Sequence, residues 1–91
     1  MDEYFKSVEK ALHKHYGKKT QLLTSTRKDK KFMVINPNGK KIHFGSVDYL
    51  DYHLDQTEER EARRERFRNR NKKWSLADPW TPAHLSYYVL W

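Results

Sequence analysis

The sequence predicts an α+β domain spanning residues 1–91, in which an N-terminal helix, a three-stranded antiparallel meander, an Arg-rich helix and an aromatic C-terminal tail follow one another. Three observations carry this expectation. Phe5, Val8, Leu12 and Tyr16 recur at helical spacing. Three short β-prone runs come next, divided by turn chemistry, of which Asn36-Pro37-Asn38-Gly39 is the strongest because Asn-Gly tolerates the positive φ angles of a tight hairpin. Residues 60–70 then place bases and acids so that the two signs separate on a helix.

Taken in order, Asp2 is placed to cap the first helix and Gly17 to terminate it. Leu22–Thr26 reads as a strand, Arg27–Lys30 as a polar turn, and Phe32–Ile35 as a second strand. Lys41–Phe44 returns as the third strand and Gly45 closes it. One helix packed on one face supplies the second layer such a sheet needs. Asp48–Asp55 is an aromatic and acidic loop or a short helical turn. Asp55 caps a helix from about residue 56 to residue 71, with Glu58 completing a capping-box-like pair. The tail from Trp74 carries Pro79 and Pro82 and closes on the apolar run 85–91, as a short helix or a last strand. The single domain thus divides into 1–55, helix plus meander; 56–73, the Arg-rich helix; and 74–91, the aromatic tail.

Composition limits the core. Leu (8), Ile (2), Val (4) and Phe (4) make up only 18 of 91 residues, on the boundary of compositions that stay disordered. Six Tyr, four Phe and three Trp compensate, each able to bury roughly 150–250 Å². The expected core is therefore thin and aromatic, and a homo-oligomer or a larger assembly is a natural source of further stability. With no cysteine, disulfides, thiolate metal sites and cysteine nucleophiles are excluded. No apolar run reaches the ~20 residues of a membrane span, and the acidic start Met1-Asp2-Glu3 is unlike a secretory leader. These features point to an interior location, in a cell or inside something assembled in one, rather than to secretion.

The formal net charge of +7 favours anionic partners. It is distributed in blocks. Residues 6–41 hold eleven bases, ten of them Lys, whereas 60–70 uses only Arg. Lys is a flexible point charge, while Arg offers a planar fork matched to phosphate or carboxylate. At 100° per residue, Arg60, Arg63, Arg64, Arg68 and Arg70 fall within about 80° of one axis, with Phe67 near its centre. Two readings fit equally. One is a solvated helix held by pairs such as Glu59–Arg63, Glu61–Arg64 and Glu65–Arg68, each worth a few tenths of a kcal/mol. The other is an Arg face around Phe67 that docks on phosphates or an acidic protein.

Other chemistry is thinly represented. His13 and His15 lie about 200° apart on the first helix, so they cannot share one metal there. His43 and His53, near Asp48, Asp51 and Asp55, have the composition of a metal or general-base site, but satisfied or exposed histidines are the commoner outcome. No glycine-rich phosphate loop, nucleophile elbow or HExxH motif occurs. No catalytic residue, metal site or cofactor is assigned. In the tail, Trp80, Tyr87, Tyr88 and Trp91 either complete the core or anchor a partner, since buried Trp and Tyr dominate interfaces. A tail closing on Leu90-Trp91 leaves its last carboxylate beside an apolar ring, an arrangement suited to one of the arginines.

The order Phe44-Gly45, Tyr49-Leu50-Asp51-Tyr52, Arg66-Phe67-Arg68-Asn69-Arg70, Trp74 and Thr81-Pro82-Ala83-His84-Leu85-Ser86-Tyr87-Tyr88-Val89-Leu90-Trp91 resembles a family of small basic proteins, a domain of unknown function encoded by large double-stranded DNA viruses. It covers about residues 32–91. Tyr88-Val89 departs from the family, where a more basic and leucine-rich stretch is usual. The resemblance implies a viral origin and carries no activity to any residue. The expected function is non-enzymatic: a minor virion component that binds capsid protein or packaged genome, or alternatively a free nucleic-acid-binding or regulatory protein of infected cells. The binding residues would be Arg60, Arg63, Arg64, Phe67, Arg68 and Arg70.

Overall fold

The computed structural model describes residues 3–48 and 51–91. Its first helix, α1 (Glu3–Tyr16), ends where the sequence places a terminator: Gly17 has φ +92° and returns its N–H to the His13 carbonyl at 3.0 Å. The suggested cap Asp2 lies outside the described residues, as do Tyr49 and Leu50 of the family-like cluster.

Three antiparallel strands follow in the order β1-β2-β3: β1 (Leu23–Thr24), β2 (Lys30–Ile35) and β3 (Lys41–Ser46). The β2–β3 hairpin turns at Asn36–Gly39, where Asn36 Oδ1 accepts the N–H groups of Asn38 and Lys40 and Gly39 takes φ +84°. Its register pairs Phe32 with Phe44 and Val34 with Ile42, so one face carries four large apolar residues. β1 is shorter than its apolar run suggests. Ser25 still donates its N–H to the Lys31 carbonyl at 3.1 Å, and its hydroxyl accepts the Arg27 N–H and meets His43 Nδ1.

Two helical elements, rather than the expected one, cover the apolar face. Val8 and Leu12 of α1 and Leu85, Val89 and Leu90 of the tail join Leu22, Phe32, Val34, Ile42 and Phe44 in one buried cluster. The tail is therefore helical. α3 (Pro82–Leu85) starts at a Thr81 cap whose hydroxyl accepts the His84 N–H, and it continues as a π turn over Ser86–Leu90. Gly45 makes this approach possible. It is buried at φ +82°, and a Cβ there would lie 2.9 Å from Leu90 Cδ1.

The Arg-rich helix, α2 (Arg60–Arg70), is shorter than the expected 56–71. Asp55 does not cap it. One carboxylate oxygen accepts both the main-chain N–H and the hydroxyl of Thr57, closing a local turn, and helix begins only after Glu59, which makes no side-chain cap. A short 3₁₀ turn (Lys72–Leu76) leads from α2 to the tail. None of α2's residues is buried, so it docks through side chains instead of an apolar stripe. Among the described residues no helix is long and apolar enough to cross a membrane.

Candidate functional site

The Arg sector of α2 divides along Phe67 into two stripes with different work. Arg60, Arg64 and Arg68, at i, i+4 and i+8, turn toward the body of the protein. Arg60 donates to the Tyr52 carbonyl at 2.9 Å and lies over the Tyr52 ring at 4.1 Å, with Arg64 over the same ring at 4.4 Å. Arg64 Nε and an Arg68 guanidinium N–H both donate to the Trp91 main-chain oxygen, at 2.6 and 2.8 Å. Arg68 also approaches Tyr87 at 5.6 Å. Among the described residues the Nε atoms of Arg60 and Arg68 are buried without a hydrogen-bond partner. Phe67 stacks on Trp91 at 4.5 Å and 10° between planes, and meets Trp74 edge-on. The tail is thus held under a pair of arginines.

The second stripe is Arg63, Arg66 and Arg70, at i, i+3 and i+7. With Lys30 and Lys31 of β2 it forms the two walls of a cavity of about 960 Å³ between the sheet, α2 and the tail. Phe67, Trp74 and Trp91 give the cavity an aromatic floor and flank. Asp51 is the carboxylate on its lining, and it is already committed. It is 2% exposed, accepts the N–H groups of His53 and Leu54, pairs with Lys31 at 3.0 Å and takes the Tyr4 hydroxyl. Arg63 pairs with buried Asp55 at 3.0 Å, while the hydrogen bonds from Thr57 hold the Asp55 carboxyl below the usual range. Arg66 and Arg70 are exposed and make no hydrogen bond or ion pair among the described residues. Trp74 leaves 37% of its surface open.

Helical averaging grouped both stripes as one face and left out Arg66. The spacing 63-66-70, extended by Trp74, was present in the sequence as a separate signal. Lys30 and Lys31 enter the site only through the strand pairing. Of the pairs expected along α2, Glu59–Arg63 forms at 3.9 Å, whereas Glu61 accepts the Tyr52 hydroxyl at 2.6 Å.

The tail aromatics are half-buried. Trp91 and Tyr87 meet α2, Tyr88 donates to the Ser75 carbonyl at 2.9 Å, and Trp80 packs edge-on to Tyr16 at 4.7 Å. Trp80, at φ +66°, donates its N–H to the Tyr16 hydroxyl, which is also hydrogen-bonded to His84 Nδ1. Burial lowers the pKa of His84.

The histidines are dispersed. His43 Nδ1 meets Ser25, and His13 donates to the Thr20 carbonyl. His53 donates from Nε2 to the Val89 carbonyl at 2.8 Å and accepts the Ser7 hydroxyl at Nδ1, at 2.6 Å. Burial lowers its pKa, so the neutral ring ties α1 to the tail. Asp51 serves the His53 main chain and not its ring, unlike the acid of a nucleophilic triad. Among the described residues no group of three His, Cys, Asp or Glu stands close enough to hold a metal ion.

Fold and cavity together define a small α+β protein with a basic cleft walled by a strand and a helix. The model of a family of unknown function, DUF5754, matches residues 20–71, and the chain belongs to that family. The matched segment contains the meander, the Asp51–Asp55 turn and all of α2, hence both basic walls. No curated protein and no solved structure matches the chain.

Proposed function

We propose that this is a non-enzymatic binding protein whose basic cleft holds the phosphate backbone of a nucleic acid. One observation carries the reading: among the described residues Arg66 and Arg70 stand exposed, with no hydrogen bond or ion pair, on one wall of a cleft whose lining aspartate, Asp51, is consumed internally. Guanidinium groups left in this state along one face of a helix match phosphate oxygens in a fork geometry. The overall charge of +7 adds attraction at a distance. The resemblance to small proteins of large double-stranded DNA viruses supplies a setting, a minor virion component on packaged genome. Arg60, Arg64 and Arg68, engaged with the protein's own tail and Tyr52, support this function by holding α2 in place.

The test compares variants of equal charge. Arg66→Gln with Arg70→Gln is expected to weaken oligonucleotide binding at least ten-fold in moderate salt. Lys40→Gln with Lys41→Gln, at the far hairpin turn, removes the same charge and is expected to leave most affinity intact. Equal losses in the two variants would reduce the interaction to net charge and remove the cleft from it.

A further inference from the structure

We infer that the ligand of the cleft is single-stranded, and that Trp74 is the platform on which one of its bases stacks. This rests on the nucleic-acid reading above and narrows it to one substrate class. Trp74 continues the Arg63–Arg66–Arg70 stripe beyond the end of α2 and lies on the lining of the same cavity. Its ring is braced edge-on by Phe67 at 5.8 Å, and Phe67 is itself stacked on Trp91. One side of the indole is therefore fixed while 37% of its surface stays open. A large aromatic held in that way beside two guanidinium groups that make no ion pair among the described residues combines the two components of single-strand recognition, a charged track for phosphates and a π surface for bases.

A duplex cannot use the second component, because its base faces are covered by their neighbours and only its phosphates reach a protein wall. Stacking is tolerant of base identity, since every base has a π face. Sequence preference is accordingly weak.

The experiment measures the full chain against three probes of equal length and charge by anisotropy: oligo(dT), an abasic deoxyribose-phosphate strand, and poly-glutamate. The parent is expected to bind oligo(dT) about ten-fold more tightly than the abasic strand, the value of one base–aromatic stack. Trp74→Ala, half-exposed and checked for an unchanged melting temperature, is expected to bind both strands alike. Quenching of indole fluorescence by oligo(dT), lost in Trp74→Ala, supplies a second readout. Equal binding of oligo(dT) and the abasic strand by the parent overturns the stacking assignment and leaves the phosphate reading standing. Equal binding of poly-glutamate and oligo(dT) overturns both, as does failure of every probe to bind. The abasic comparison needs no variant, so a Trp74→Ala protein that failed to fold would not shelter the inference.

Discussion

Gly45 shows how much one missing Cβ can decide. At φ +82° an L side chain is strained, and here it would also meet Leu90, which is 2% exposed and cannot move aside. Gly45→Ala is expected to cost about 1–3 kcal/mol, read as a lower denaturant midpoint with an unchanged slope. His53 provides a second residue-scale expectation. Its folded pKa lies below the usual 6.5 because burial disfavours the imidazolium. The unfolded chain therefore binds the proton more readily, and the stability His53 contributes is complete above pH 6.5 and lost as pH falls through the lowered folded value. Urea midpoints measured from pH 7.5 downward should decline below 6.5, and His53→Gln should flatten the decline. A midpoint independent of pH in both proteins would contradict the assigned tie. Neither role was legible in the chain alone: Gly45 reads there as a strand terminator, and His53 as one of several isolated histidines.

The elements differ in how openly the sequence announces them. Alternation and turn chemistry place β2 and β3 within two residues, because hairpin register depends on local pattern and on Asn38-Gly39. The start of α2 is misplaced because a capping carboxylate has two possible uses, and at Asp55 the Thr57 turn prevails over the helix. The two Arg stripes also stay merged in a helical projection, since only the positions of Tyr52 and Trp91 distinguish them. These contacts carry a prediction. α2 has no buried residue, so its docking depends on Tyr52, Trp91 and the arginines between them. Tyr52→Ala removes two cation–π contacts and the hydrogen bond to Glu61, together about 1–2 kcal/mol. Amide exchange in α2 should accelerate roughly ten-fold, while β2 and β3 remain protected. Uniform acceleration would mean that α2 unfolds only with the rest.

At the scale of the molecule, the charge blocks of the sequence become a spatial arrangement. The Lys-rich 6–41 block supplies Lys30 and Lys31 to one wall, and the Arg block supplies the other. Composition could show that anionic partners are favoured, but not that two blocks separated in sequence face one cleft. Lys30, Arg66 and Arg70 set the expected salt response, since Arg63 is held by Asp55. Contact with about 3 phosphates of a single strand gives a slope of log affinity against log salt of roughly −2. Arg66→Gln with Arg70→Gln should bring it to about −1. A parent slope near zero would exclude phosphate neutralisation as the source of binding.

The side-chain docking of α2 has a consequence in populations. Where amide exchange shows α2 opening by itself, one wall of the cleft has its own closing equilibrium, and the observed dissociation constant is the intrinsic one divided by the fraction of molecules with that wall in place. Tyr52 does not line the cleft and carries no charge. Even so, Tyr52→Ala should weaken oligonucleotide binding by the factor it takes from that fraction, two-fold if the wall is in place half the time. Ligand added in excess should restore slow exchange to α2, because what selects the closed wall also holds it closed.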